Sequence, residues 1–243
     1  MKHLSKLFAL LGVALLVSAT RAADNNPLRL VIVGDSTVAD YPAEHTNRGW
    51  GQYIEERFKP DTVKVTNLAK SGRSTKSFIA EGLWEKAIGE KPNYVLIQFG
   101  HNDSHAPDKP EATDAATDYK DYLRRYIDES RAIAATPILI TPMVRRTFDA
   151  AGKITEAQPP PNRALASYAN AMKEVAAEKK VALIDLYTSS KTLAEKLGPE
   201  ASAAMANKQG DATHFNEKGA RAMADLVMAG LSVVEPKFKG YLK

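Results

Sequence analysis

Five short apolar runs, separated by stretches of helical periodicity, constrain this chain more than any other feature. They cover residues 28–33, 63–67, 94–99, 138–140 and 181–184. Each is too short for a helix of ordinary length, and they read as continuous rather than alternating runs, the one at 63–67 (Val-Lys-Val-Thr-Asn) least so. That is the pattern of strands buried on both faces of a parallel sheet. Between the runs, Tyr119, Tyr122, Leu123, Tyr126 and Ile127 recur at i, i+3, i+4, i+7 and i+8. This places them on one face of a helix. Leu165, Tyr168, Ala169, Met172, Val175 and Ala176 follow the same spacing. Met223, Leu226, Val227 and Gly230 mark a last helix, with Asn216 as its cap and Glu217 in its first turn.

Strand–helix repetition implies an α/β domain with right-handed crossovers. Five strands suggest a doubly wound, flavodoxin-like parallel sheet, with ligands bound where the strands end. No internal repeat or long linker divides the 243 residues. One domain over residues 24–243 is therefore expected, with residues 159–161 as a rigid proline connector ahead of a helix at Asn162.

Residues 1–22 read differently. Lys2 and Lys6 precede an apolar run at 7–17, and small residues follow through Ala23. This is the layout of a secretory signal peptide, cut after Ala19 or Ala22. The run is too short to span a bilayer; a buried helix is the alternative. Removing residues 1–22 takes away Lys2, Lys6 and Arg21 and lowers the formal charge from +4 to +1. Basicity is thus mostly a property of the leader, and nucleic acid is not the expected partner. No cysteine is present, which excludes disulfides, thiolate chemistry and a lipid anchor on cysteine. A secreted or periplasmic protein without a membrane anchor is expected.

Four loops at strand ends carry the chemistry: 34–40, 70–76, 100–103 and 211–215. The first strand runs into Gly34-Asp35-Ser36-Thr37. Ser36 is either a nucleophile or a turn serine. Val38 stands where the nucleophile elbow of α/β-hydrolases has its closing glycine, so that motif is absent. Asp211-Ala212-Thr213-His214 precedes the last helix. A serine hydroxyl needs a base, and an imidazole held by a carboxylate supplies one; a surface turn is the alternative. Gly72, after the second strand, lets a backbone N–H approach closely. Asn102, after the third, offers an amide donor that does not titrate. Such donors are what the oxyanion of acyl transfer requires, although a tight turn and a capping Asn account for each separately.

The set Gly34-Asp35-Ser36, Gly72, Gly100-His101-Asn102-Asp103 and Asp211-Ala212-Thr213-His214 resembles the four blocks of the SGNH (GDSL-like) hydrolases over nearly all of the mature chain. Gly34-Asp35-Ser36-Thr37-Val38-Ala39, Gly49-Trp50-Gly51-Gln52, residues 67–74 and Phe99-Gly100-His101-Asn102-Asp103 are similar to the rhamnogalacturonan acetylesterase group within it. Residues 141–146 look like this group too. The resemblance implies a three-layer SGNH-hydrolase fold. It also implies a Ser36, His214, Asp211 triad and an oxyanion hole of the Ser36 amide, the Gly72 amide and the Asn102 side chain. Thr37 departs from the leucine usual after the serine, which points away from the lipase branch.

Several neighbours have two readings. Asp35 binds charge or anchors its loop through backbone N–H groups. His101 contacts substrate or packs. Trp50 is a sugar platform or core. Arg73, Arg145 and Arg146 lie near the expected mouth, where guanidinium groups suit uronate carboxylates, or they are solvated. His45 and His105 are expected in solvent. His101, Asp103, His105 and Asp108 match no standard zinc spacing, so no metal is expected, and acyl transfer needs no cofactor. The expected activity is a secreted carbohydrate acetylesterase acting on acetylated pectic polysaccharide or oligosaccharide. The alternatives are an acyl hydrolase for xylan, peptidoglycan or lipid esters, and a non-catalytic glycan-binding protein.

Overall fold

The computed structural model describes residues 26–156 and 164–243. The expected leader and the proline connector at 159–161 lie outside these. Five strands, β1 (Leu28–Gly34), β2 (Val63–Asn67), β3 (Tyr94–Gln98), β4 (Thr136–Ile140) and β5 (Ala182–Ile184), form one sheet of order β2-β1-β3-β4-β5. Every pairing is parallel. All five expected strands are present, with ends shifted by no more than two residues.

Burial on both faces explains why β1, β3 and β4 read as continuous apolar runs, whereas the edge strand β2 buries only Val63 and carries Lys64, Thr66 and Asn67. Leu30, Ile32, Leu96, Ile138 and Ile140 point into one core. Val31, Val33, Val95, Ile97 and Leu139 point into the other. The first core is covered by α6 (Glu217–Val234), by the start of α5 (Leu186–Ala203) and by 3-10 turns at Trp50–Tyr53 and Pro236–Tyr241. The second is covered by α1 (Thr75–Ala80), α2 (Leu83–Gly89), α3 (Asp118–Ala132) and α4 (Leu165–Lys179). The result is the expected three layers.

The expected cap is in place: Asn216 Oδ1 accepts from Gly219 N at 3.0 Å, satisfying one of the free N–H groups at the start of α6. Periodicity did not reveal α1, α2 and α5. In α5 the buried positions are Leu186, Ser190, Ala194 and Ser202, mostly small or polar, and Gly198 breaks the helical backbone at φ 79°. The helix packs, but it carries no apolar stripe.

The order 2-1-3-4-5 reverses direction between β1 and β3. A ligand crevice is expected beyond the carboxyl ends of those two strands. The loops carrying Ser36 and Asn102 leave β1 and β3 there.

Candidate active site

Ser36 sits on a tight turn that its own sequence builds. Val38 N and Ala39 N donate to Asp35 O at 3.2 and 3.0 Å. Asp35 Oδ1 accepts from Thr37 N at 2.9 Å and from Thr37 Oγ1 at 2.7 Å. Asp35 therefore anchors the loop, one of its two expected readings. Gly34 is required by close approach: a Cβ there would lie 2.7 Å from the carbonyl oxygen of Gln98.

Thr37 also explains its own departure from the family pattern. Its hydroxyl accepts from Gln98 Nε2 at 2.9 Å, and Gln98 Oε1 accepts from Trp50 Nε1 at 2.8 Å. A leucine could neither donate to Asp35 nor accept from Gln98. Trp50 is 0% exposed, so it buttresses the Ser36 turn and is not a sugar platform. Tyr41, which sequence reasoning passed over, donates its hydroxyl to Ser36 O at 2.8 Å and stacks on His45.

Residues 178 positions apart then meet. Ser36 Oγ lies 3.0 Å from His214 Nε2. His214 Nδ1 lies 3.0 Å from Asp211 Oδ2. The second oxygen of Asp211 accepts from His214 N at 2.8 Å and Thr213 N at 2.9 Å. Burial pushes the Asp211 carboxyl up, but these backbone N–H groups and the imidazole outweigh it and hold it below its ordinary value. With an ionised acceptor at Nδ1, the imidazole keeps its proton there and presents Nε2 as a base to the hydroxyl.

The two expected oxyanion loops are tied to each other. Asn102 Nδ2 donates to Arg73 O at 2.8 Å, one residue beyond Gly72, which leaves the second amide hydrogen of Asn102 unused by that bond. Gly72 holds φ +81°, a left-handed conformation that favours glycine. Asp103 anchors the next turn from inside the core. It accepts from Thr75 N at 3.1 Å and from the hydroxyls of Thr75 and Thr113. Burial raises its carboxyl to about 7 despite these bonds.

The expected substrate residues divide. His101 is 3% exposed and donates through Nε2 to Met143 O at 3.1 Å, so it packs within the protein and does not line the mouth. Arg146 is also buried, at 8% exposure, and lies behind the histidine loop. Arg73 is turned aside, paired with Glu81 at 2.8 Å. Half-buried Arg145 donates to His101 O and Ser104 Oγ, both at 3.2 Å. A cleft of about 440 Å³ opens beside Gly72, lined by Arg73, Lys76, Ser77, Glu81 and Glu111 among others. Lys76 carried no sequence signal.

His105 pairs with Glu111 at 2.6 Å and His45 Nδ1 accepts from Asn47 N at 3.0 Å. Both lie at the surface, as expected, each with a hydrogen-bond partner. Among the described residues, no three His, Cys, Asp or Glu side chains are grouped as metal ligands.

A fixed base, an adjacent hydroxyl and waiting donors can carry out acyl transfer. Comparisons with known proteins agree. The GDSL-like Lipase/Acylhydrolase family matches residues 32–222, a span that includes all four loops. The Bacillus subtilis rhamnogalacturonan acetylesterase RhgT is 37% identical over 232 residues, covering 89% of this chain and 94% of that protein. A probable rhamnogalacturonan acetylesterase of the same organism, YesY, is 35% identical over 83% of this chain and 91% of its own length. Among solved structures, B. subtilis YxiM superposes with a TM-score of 0.71 at 29% identity, over 86% of this chain and 57% of that one. The acetylxylan esterase Axe2 of Geobacillus stearothermophilus, at 22% identity, shares the fold with a TM-score of 0.67 over 85% of this chain and 94% of its own. The chain is a carboxylic ester hydrolase and belongs to the GDSL-like lipase/acylhydrolase, or SGNH, family.

Proposed function

We propose that this protein is an acetylesterase that removes O-acetyl groups from pectic polysaccharide, with acetylated rhamnogalacturonan as its substrate. The observation that carries the reading is the 3.0 Å contact between Ser36 Oγ and His214 Nε2, continued at 3.0 Å to Asp211. The names of RhgT and YesY support the choice of polymer.

In this reading Ser36 Oγ attacks the acetyl carbonyl carbon as His214 Nε2 takes its proton. The carbonyl oxygen becomes an anion facing the Ser36 and Gly72 amides and the Asn102 side chain. The C–O bond to the sugar then breaks, and the sugar oxygen leaves with the proton from His214. Water repeats the sequence on the acyl-enzyme, releasing acetate and restoring Ser36. Asp211 holds the imidazole in one tautomer throughout. Neighbouring sugars would lie in the cleft beside Gly72, where Lys76 offers a cation to a uronate. Residues 1–22 would direct export, with the protein acting outside the cytoplasm; sequencing the mature N-terminus tests this.

The deciding experiment measures acetate released from acetylated rhamnogalacturonan beside acetylated xylan. Preference for the pectic polymer is expected. Preference for xylan would move the substrate while keeping the chemistry. Failure of a fluorophosphonate to label Ser36 would remove the chemistry and favour a glycan-binding protein.

A further inference from the structure

Half-buried Tyr41 stands between two of the strand-end loops. Its hydroxyl donates to Ser36 O at 2.8 Å. A phenol has one O–H to give and lone pairs to receive with. With the O–H given to Ser36 O, the oxygen is left to accept from the Ser71 hydroxyl, its strongest side-chain hydrogen-bonding neighbour; the Ser36 hydroxyl acts on it more weakly. Burial raises the phenol above its ordinary value, and the Asp35 and Asp211 carboxylates add to the shift. Tyr41 therefore keeps its proton, and remains a donor, at neutral pH.

Both ends of this tie adjoin groups that acyl transfer uses. The peptide between Ser36 and Thr37 is gripped at its two poles: Thr37 N donates to Asp35 Oδ1 at 2.9 Å, and Ser36 O accepts from Tyr41. A peptide is planar, so holding both poles fixes the backbone from which Ser36 Oγ projects toward His214 Nε2 at 3.0 Å. At the other end, Ser71 immediately precedes Gly72, whose N–H is an expected oxyanion donor. Tyr41 is itself firmly seated. Gln52 Nε2 donates to Tyr41 O at 3.2 Å, Asp40 Oδ1 accepts from Asn67 Nδ2 at 2.6 Å, and the Tyr41 ring stacks on His45 with centroids 4.5 Å apart. The hydroxyl is thus anchored to the Trp50 turn and to the end of β2.

We infer that Tyr41 is a positioning residue for ester cleavage, whose hydroxyl sets the Ser36 turn against the Gly72 loop and so fixes the gap between the Ser36 oxygen and the Gly72 amide. It acts through Ser36 and Gly72 and not on the ester itself. The inference rests on the acyl-transfer reading of Ser36 above, but not on which polymer carries the ester. Without the hydroxyl, the Ser36 turn keeps its bonds from Val38 N and Ala39 N to Asp35 O. The turn then stays folded, while Ser36 O loses its donor and the Gly72 loop its tie.

The test is Tyr41→Phe, which keeps the ring and its stack on His45. kcat for an aryl acetate should fall about tenfold or more, with KM changed less than about twofold. A fluorophosphonate should still label the variant to full stoichiometry, but about tenfold more slowly than the wild type. Full labelling shows that every molecule has a folded site; the slower rate places the loss in alignment. Ser71→Ala cuts the other end of the tie and should lower kcat roughly fivefold. Added to Tyr41→Phe it should cost little more, because the tie is already broken. A kcat in Tyr41→Phe within about twofold of the wild type overturns the proposal. So do losses that multiply in full in the double variant, or incomplete labelling that accounts for the whole fall in kcat. If Tyr41→Phe does not fold, Ser71→Ala decides by itself, and a wild-type kcat there overturns the proposal. A wild type that neither cleaves ester nor takes the label would defeat the acyl-transfer reading and this inference together, whereas an active wild type with an equally active Tyr41→Phe defeats the inference alone.

Discussion

Arg146 Nη2 donates to the carbonyl oxygens of both His214 and Asp211, at 2.7 and 3.0 Å. The backbone N–H of Arg146 adds a bond to Ala212 O at 2.8 Å, and its guanidinium lies 4.3 Å over the ring of Phe215. One residue of the loop after β4 therefore grips the turn that carries the base. Burial pulls the guanidinium down to about 10, with Asp211 opposing the shift, so it stays charged at neutral pH.

Arg146→Gln should loosen that grip. A base displaced by about 1 Å can cost on the order of 100-fold in rate, so kcat is expected to fall by roughly 10- to 100-fold. Stability should drop by about 1–3 kcal/mol, because two carbonyls lose a charged donor. Arg146→Lys keeps the charge without the planar fork and should recover only part of kcat. Steady-state kinetics and urea unfolding of both variants check this; a wild-type kcat in Arg146→Gln would leave the clamp without a catalytic role.

Removing the Ser36 hydroxyl gives the simplest outcome. Ser36→Ala should release no acetate above background from an aryl acetate while its melting temperature stays near that of the wild type. Asn102→Ala should lower kcat by about 100-fold or more, the cost of one oxyanion donor. Since Asn102 also bonds Arg73 O, the Gly72 loop should loosen too. A kcat within about twofold of the wild type would exclude Asn102 from the oxyanion site.

Gln98 links Trp50 to Thr37 inside the core. Gln98→Leu leaves the indole N–H without its acceptor and the Thr37 hydroxyl without its donor. A stability loss of about 1–3 kcal/mol is expected, with a lower kcat because the Ser36 turn loses its brace. Pairing Gln98→Leu with Trp50→Phe, which removes the indole N–H, should recover part of that stability. Additive losses in the double variant would count against the link.

Asp103 gives a pH signature with a definite sign. Its folded carboxyl is raised from 3.8 to about 7. Between those values the folded chain binds a proton that the unfolded chain has lost. Stability from this group is therefore fully present below about pH 4 and declines as pH rises toward 7. Asp211 acts in the opposite sense: its carboxyl is held low, so its contribution is present above the unfolded value and is lost as pH falls. Asp103→Asn should remove the first slope, worth up to roughly 4 kcal/mol across the window. Urea unfolding of both chains at several pH values reads the difference.

Much of the layout of the proposed site was legible in the sequence, because it depends on where strands end. Buried parallel strands show as apolar runs, and loops at their carboxyl ends converge whatever their separation along the chain. Ser36, Gly72, Asn102, Asp211 and His214 could each be named from a strand-end motif. The helix at α5 could not, since Ser190, Ala194 and Ser202 cover their neighbours by fitting closely rather than by being apolar.

Individual side-chain partners were decided by the tertiary structure alone. Arg73, Arg145 and Arg146 read alike as cations near a mouth, yet the first pairs with Glu81, the second holds the His101 turn and the third lies buried behind the base. Trp50 and His101 each read as a substrate contact or as core, and both are inside. The pattern of apolar residues specifies which segments are buried and in what order they stack. Which polar atom meets which depends on distances of a few ångströms between segments tens of residues apart, and no local pattern encodes them.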